Sequence, residues 1–262
     1  MSTPPSPIAA PLQPGGQAAQ PGLSEAARLT NVFIAPRKTF EDLRQNPSWW
    51  APWLVAAVFT VIFAVVAVQK LDMRHLVQQR IDQSPTAQKR LDQLSPEQRE
   101  QNMALQATIT KFTFYVYPLI TLIVGLVVAL VLWGIFSFGF AAEVPFQRAL
   151  AIVFYSFLPS GILATALLTV SVLVSSDPNT IDFSNSPMPT NPAFFMDPQG
   201  NKFLYGLLSG LDVFRIWTTI LLGLGFSAAA GNRKLSAGTS ITTMFVIYGS
   251  LILLGAVFRA VF

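Results

Sequence analysis

The chain has 262 residues, of which 52% are apolar and only 11% are Asp, Glu, Lys or Arg, with a net charge of +4. Soluble domains carry about 25% charged residues, so this composition excludes an ordinary water-soluble globule and points to an integral membrane protein. Cysteine is absent and His75 is the sole histidine, which excludes disulfides, Fe–S clusters, thiolate zinc and histidine triads, so neither a metal nor another cofactor is expected. The basic residues are scattered rather than clustered, so no nucleic-acid partner is expected.

Residues 1–23 form a Pro/Ala/Gln/Gly-rich tail, with six prolines in the first 22 residues. Such a composition cannot bury a core and reads as a disordered spacer, with a proline-rich docking segment as the alternative. It lacks the basic start and apolar core of a signal peptide.

Residues 24–48 hold two short amphipathic segments. Ser24 suits the N-cap of a helix over 25–34 with Leu29, Val32 and Phe33 on one face, ended by Pro36. The second, 37–44, places Phe40 and Leu43 together and rims them with Arg37, Lys38 and Arg44. An apolar stripe with a basic rim suits a helix in the membrane interface; packing against the protein's own loops is the equal alternative. Trp49, Trp50 and Trp53 follow at the edge of the first apolar run, where tryptophan acts as an interfacial anchor.

Five apolar runs, 49–68, 112–142, 149–174, 203–230 and 241–262, are each at least 20 residues long. About 20 helical residues cross a hydrocarbon core of roughly 30 Å. None of the runs alternates as barrel strands do. The expected fold is all-α: a polytopic integral membrane bundle with five transmembrane helices, its membrane domain covering 49–262.

The polar stretch 69–111 carries seven basic and five acidic residues. Ser84-Pro85 and Ser95-Pro96 each read as a cap with a first-turn proline, and Gln98 completes a capping box with Ser95. Two or three solvated helices outside the membrane are expected there, with His75 exposed on one of them. The short connection 143–148 forces an antiparallel hairpin, across which Glu143 and Arg148 could pair. In the third span, Pro159 predicts a kink, and Ser156, Ser160 and Ala164 form a small-residue strip for close helix contact. Residues 175–202 read as irregular, with Phe194 and Phe195 suited to a return to the interface.

Within the spans, Asp212 and Arg215 are the only charges away from the ends. Their i, i+3 spacing puts them on one helical face as a candidate intramembrane polar pair. A structural pair that fixes helix register and a gate or anion site are both open readings. Gly206 and Gly210 form a GxxxG, which serves either internal packing or homodimerisation. No nucleophile elbow, zinc helix, phosphate loop or dinucleotide turn is present, so the chain is not expected to be an enzyme.

Three stretches carry a resemblance to a known family: NVFIAPRKTFEDLRQNPSWWAPWL at 31–54, FYSFLPSGIL at 154–163 and TNPAFFMDPQGNKFLYG at 190–206. They resemble bacterial members of the Yip (Ypt-interacting protein) domain family, and the resemblance covers roughly residues 25–260. It implies five spans and a cytosolic N-terminus. Eukaryotic members act in vesicle traffic through prenylated Rab-type GTPases and carry an Asp-Leu-Tyr-Gly-Pro motif before the first span. That motif is missing here, its nearest echo being Leu204-Tyr205-Gly206, so GTPase binding is not carried over.

The basic residues give seven inside and nine outside for an inward N-terminus, or seven against two once the long first loop is set aside. With the resemblance, this predicts a multi-pass protein of the bacterial inner membrane, N-terminus cytoplasmic and C-terminus outside. The expected role is a non-enzymatic scaffold or adaptor for a membrane or peripheral protein, in contact with the lipid bilayer and as a candidate homo-oligomer. The alternative is a transporter or channel subunit with a site near Asp212 and Arg215.

Overall fold

The computed structural model describes residues 22–183, 185–230 and 235–261. The proline-rich tail and the basic pair Arg233-Lys234 lie outside the described residues, apart from Gly22 and Leu23. Ten α-helices follow in order among the described residues: α1 (Glu25–Ile34), α2 (Pro36–Asp42), α3 (Trp50–Lys70), α4 (Met73–Asp82), α5 (Pro85–Asp92), α6 (Pro96–Gly134), α7 (Phe146–Val174), α8 (Lys202–Gly210), α9 (Val213–Ala229) and α10 (Ala237–Val261). The protein is an all-α membrane helix bundle.

Helices α3, α6, α7 and α10 are each long and apolar enough to cross a bilayer, while α8 and α9 pass that test only together, with a 50° bend between them. A Cβ on Gly206 would lie 2.8 Å from the Cα of Ala256, one on Gly210 would lie 2.6 Å from Ile252, and one on Gly223 would lie 2.6 Å from the Cα of Ile241. The partners step back along α10 as the glycines step forward. The bent pair therefore runs antiparallel to α10 along its length, as one broken crossing, and the crossings number five when it is counted so. The GxxxG of Gly206 and Gly210 is used inside the chain, against α10.

Hydrogen bonds tie the two ends of the bundle separately. On the first face, Arg148 donates to the carbonyls of Arg44 at 2.7 Å and Ala229 at 3.1 Å, joining α7 to the ends of α2 and α9. Arg148 therefore binds carbonyls, and no Glu143–Arg148 ion pair occurs among the described residues. On the second face, the Asn179 side chain accepts from the Asp72 backbone at 2.8 Å, Gln79 donates to the Asn179 carbonyl at 2.9 Å, and Arg259 donates to Asn185 at 2.7 Å. The polar excursion, the 175–201 loop and the end of α10 thus form one extramembrane cap.

Two boundaries differ from the sequence reading. The capping box at Ser95 and Gln98 does start a helix, but that helix is α6 itself, which runs 39 residues without a break into the second span. At 1.5 Å per residue it is about 58 Å long, nearly twice the hydrocarbon thickness, so its first turns stand outside and carry α4. At its other end it passes into a π-turn over Ile135–Gly139, and Ala141 closes the turn with φ of 49°. Trp133 then donates its indole N–H to the Val144 carbonyl at 2.9 Å, pinning the hairpin.

The amphipathic segments form where the sequence puts them, but not as helices facing lipid with their apolar stripe. Ser24 caps α1 by accepting from Ala27, and α1 and α2 fold back as a hairpin. Val32, Phe40 and Leu43 are fully buried in the main core beside Phe136, Tyr155 and Phe226. Phe33 meets Trp217 edge-on at 6.3 Å between centroids. The stripe is satisfied by the bundle because α9 offers Gly225, where a Cβ would sit 3.1 Å from the Phe40 ring. The three tryptophans also divide. Trp50 faces outward, Trp49 packs on Phe154 at 5.7 Å, and Trp53 donates to the Pro118 carbonyl at 3.1 Å, linking α3 to α6.

Candidate functional site

The feature that departs most from an ordinary bundle is the break between α8 and α9. A helix break in a bilayer frees backbone groups that lipid cannot satisfy. Several of the freed groups here find partners. The Tyr248 hydroxyl, from the middle of α10, donates to the Gly210 carbonyl at the end of α8. Asp212 is the N-cap of α9, with Oδ1 accepting from the backbone N–H of Phe214 at 3.0 Å and of Arg215 at 3.2 Å. The loop before α8 reaches the same point, where the Thr190 carbonyl accepts from Val213 N–H at 3.0 Å and its hydroxyl donates to Asp212 Oδ2.

Asp212 and Arg215 therefore stand together, though not as the side-chain pair expected on one continuous helix. Asp212 meets the backbone of Arg215, its other oxygen is held by Thr190, and no ion pair joins the two side chains among the described residues. The guanidinium is left exposed. Since α9 has 17 residues, about 25 Å, its start lies close to the second-face boundary of a hydrocarbon core of roughly 30 Å.

Two cavities meet at Arg215 and Tyr248, which line both. One, of about 710 Å³, opens toward the second face between α8, α10 and the extramembrane cap, and Lys202, Arg259, Gln83 and Gln199 line it. The other, of about 520 Å³, lies between α3, α6, α7 and α9 and is lined largely by apolar groups, among them Trp53, Phe154 and Phe157. Ser160 lines it too and shares a 2.5 Å hydrogen bond with Thr218 of α9. Pro159 is buried beside it inside α7, which continues as helix through the proline. With no N–H at Pro159, the carbonyl of Tyr155 lacks its usual partner.

The sequence reading missed a second polar cluster at the first face. Arg28, 1% exposed, is 2.6 Å from Asp42 and 3.2 Å from Glu25, while the Tyr155 hydroxyl donates to Glu25 at 2.8 Å. Asp42 also accepts from Leu23 N–H at 2.9 Å. The cluster locks the α1–α2 hairpin to α7. Its one sequence signal is the apolar spacing around Arg28, which puts that residue on the same side of α1 as Val32.

Among known families, the Yip1 domain family matches residues 30–257. A curated relative, Membrane protein YknW of Bacillus subtilis (strain 168), is 24% identical over 226 residues, covering 86% of this chain and 87% of its own length. No solved structure shows a significant match.

Proposed function

Because the chain belongs to the Yip1 domain family, we propose that it acts as a non-enzymatic membrane scaffold or adaptor that presents its α1–α2 hairpin to a protein partner. We place that hairpin on the cytoplasmic side of a bacterial inner membrane, with the C-terminus outside. The observation that carries this reading is the Arg28 cluster. It holds the hairpin rigidly on the bundle while leaving Ile34, Arg37 and Lys38 turned outward. Ile34 is 77% exposed at the hairpin's corner, with two basic neighbours. Arg37 is paired with Glu41 at 2.9 Å, while Lys38 joins no ion pair among the described residues. An apolar tip beside that free positive charge suits an acidic, apolar-edged patch on a membrane or peripheral protein.

The core contribution of the hairpin dictates the experiment. Deleting it would remove Val32, Phe40 and Leu43 from the bundle, so the variant of choice is Ile34→Ser with Lys38→Glu, both on the outer surface. A photo-crosslinker near Ile34 in the full chain should capture one recurrent partner at near-equal amounts. The double variant should lose it at an unchanged level of folded protein. Recovery of self-crosslinks and lipid alone would overturn the adaptor reading.

The broken crossing favours a second reading, transport. Discontinuous membrane helices line substrate sites in many transporters. Under that reading, Asp212→Asn should abolish solute flux in liposomes. The packing weighs against it. Beyond the apolar cavity, toward the first face, Phe226 stacks on Phe136 at 4.3 Å, with Phe40 fully buried nearby.

A further inference from the structure

We propose that the two cavities meeting at Arg215 form one binding site for an anionic amphiphile, with its phosphate or carboxylate group in the outer cavity and its hydrocarbon chain in the inner one. This inference is independent of the adaptor reading, which rests on the opposite face.

Three cations from three helices, Lys202 of α8, Arg215 of α9 and Arg259 of α10, line the outer cavity, and among the described residues no carboxylate side chain lines it with them. Among the described residues none of the three is in an ion pair. Among the described residues Arg259 is held by neutral groups, the Asn185 amide at 2.7 Å and the Tyr205 ring at 4.4 Å, which orient it without cancelling its charge. The one carboxylate beside Arg215, on Asp212, is occupied by the helix cap and Thr190. A positive cluster left uncompensated at the edge of the hydrocarbon calls for an anion from outside the chain.

Water could solvate a free anion, but it does not account for the inner cavity. That space of about 520 Å³ adjoins the cations through Arg215 and Tyr248, and its walls are mainly aromatic and aliphatic. Its polar groups Ser160 and Thr218 bond to each other, and Thr121 to the Pro118 carbonyl, so they make few demands on an occupant. An apolar space that continues from a cationic one, at headgroup depth, matches a molecule with a charged end and a hydrocarbon end.

The test uses the full chain in nanodiscs of equal phosphatidylcholine and phosphatidylglycerol, with a phosphatidylglycerol carrying a photoreactive acyl chain. Crosslinks should map to the inner-cavity faces of α7 and α9. Arg215→Gln with Arg259→Gln should lower the phosphatidylglycerol retained in native mass spectra by at least about tenfold, the loss expected for even one of the two charge-assisted contacts removed. Lys111→Gln, an exposed charge outside both cavities, should leave it unchanged. Gly161→Leu fills the inner cavity without touching a charge, since a Cβ there meets nothing within 4 Å. It should abolish the acyl crosslink in a folded protein even if the arginine variant fails to fold. Retention in the arginine variant equal to that in Lys111→Gln, or an unchanged crosslink in Gly161→Leu, would overturn the site. If inorganic phosphate protects the protein from heating as well as phosphatidylglycerol does and displaces it, the occupant is a free anion and the amphiphile assignment fails.

Discussion

The guanidinium of Arg28 lies 2.6 Å from the carboxylate of Asp42, joining α1 to α2, and it does so at 1% exposure. An ion pair this deep is held by geometry, because the desolvation cost of the buried guanidinium is met by the carboxylates around it. Around it, Glu25 links the pair to the Tyr155 hydroxyl on α7. Arg28→Met should therefore destabilise the protein by about 3–5 kcal/mol, the penalty for stranding a buried charge. Arg28→Met with Asp42→Asn should recover part of that, because the more buried carboxylate is then no longer a stranded charge, while Glu25 is a third exposed to water. Thermal unfolding of the four proteins of this double-mutant cycle in detergent checks it, and additive losses would show that the two residues act separately.

The close approach of α9 to α10 makes a second prediction. A Cβ at Gly223 would meet the backbone of Ile241 at 2.6 Å, whereas one at Gly249 would meet nothing within 4 Å. Gly223→Ala should cost about 1–3 kcal/mol, the usual result of overpacking against a group that cannot yield. Gly249→Ala, on the exposed side of α10, should be neutral. Melting temperatures of the two variants in the same detergent decide the matter, and equal values would contradict the tight packing.

Asp212 serves α9 as a cap, and capping has a different mutational signature from charge pairing. Asn caps helices about as well as Asp, so Asp212→Asn should fold with near-native stability. Asp212→Leu should lose about 0.5–2 kcal/mol, in the range of a lost cap, and should also release Thr190. Hydrogen exchange at Phe214, Arg215 and the 186–192 loop reports both effects. If Asp212→Asn were as damaging as Asp212→Leu, the charge itself would be what matters.

The difference between this cap and the pair expected from the sequence shows what residue patterns can carry. Membrane crossings are legible because lipid imposes composition on every exposed position, and five apolar runs of sufficient length have one common explanation. The break at Leu211-Asp212 is not legible that way, since composition stays apolar on both sides. Its local signal was an aspartate two residues after Gly210, which is a cap pattern as much as a pair pattern. What decides between them is Thr190 and Tyr248, brought in from 22 and 36 residues away in the chain. The same holds for Arg28. Its spacing placed it on the apolar side of α1, but the Tyr155 hydroxyl that ties the cluster to α7 reaches Glu25 from 130 residues further on. The amphipathic stripe of α1 and α2 was likewise visible, while the surface that covers it, formed by Gly225 and Phe226 of α9, was not.

The absence of cysteine allows the membrane orientation to be read without a background signal. The hydrogen bonds put the α1–α2 hairpin and the excursion α4–α5 at opposite ends of the bundle. Lys38 is exposed at one end and Lys89 at the other. Neither joins an ion pair among the described residues, so cysteine is tolerated at both. With the N-terminus in the cytoplasm, Lys89→Cys should react with a membrane-impermeant maleimide in intact spheroplasts, and Lys38→Cys should react only after lysis. The converse labelling would invert the protein and move the proposed partner surface to the outer side. It would also move the cationic cavity to the cytoplasmic leaflet, where anionic lipids attract basic residues by about 1 kcal/mol each. Labelling of both cysteines in intact spheroplasts would instead mean that α3, the crossing between the two positions, does not span the bilayer. In that case the cap at the second face would need reassignment with it, because Asp72 and Gln79, directly after α3, are bonded to Asn179 after α7, which ties the path of α3 to that of α7.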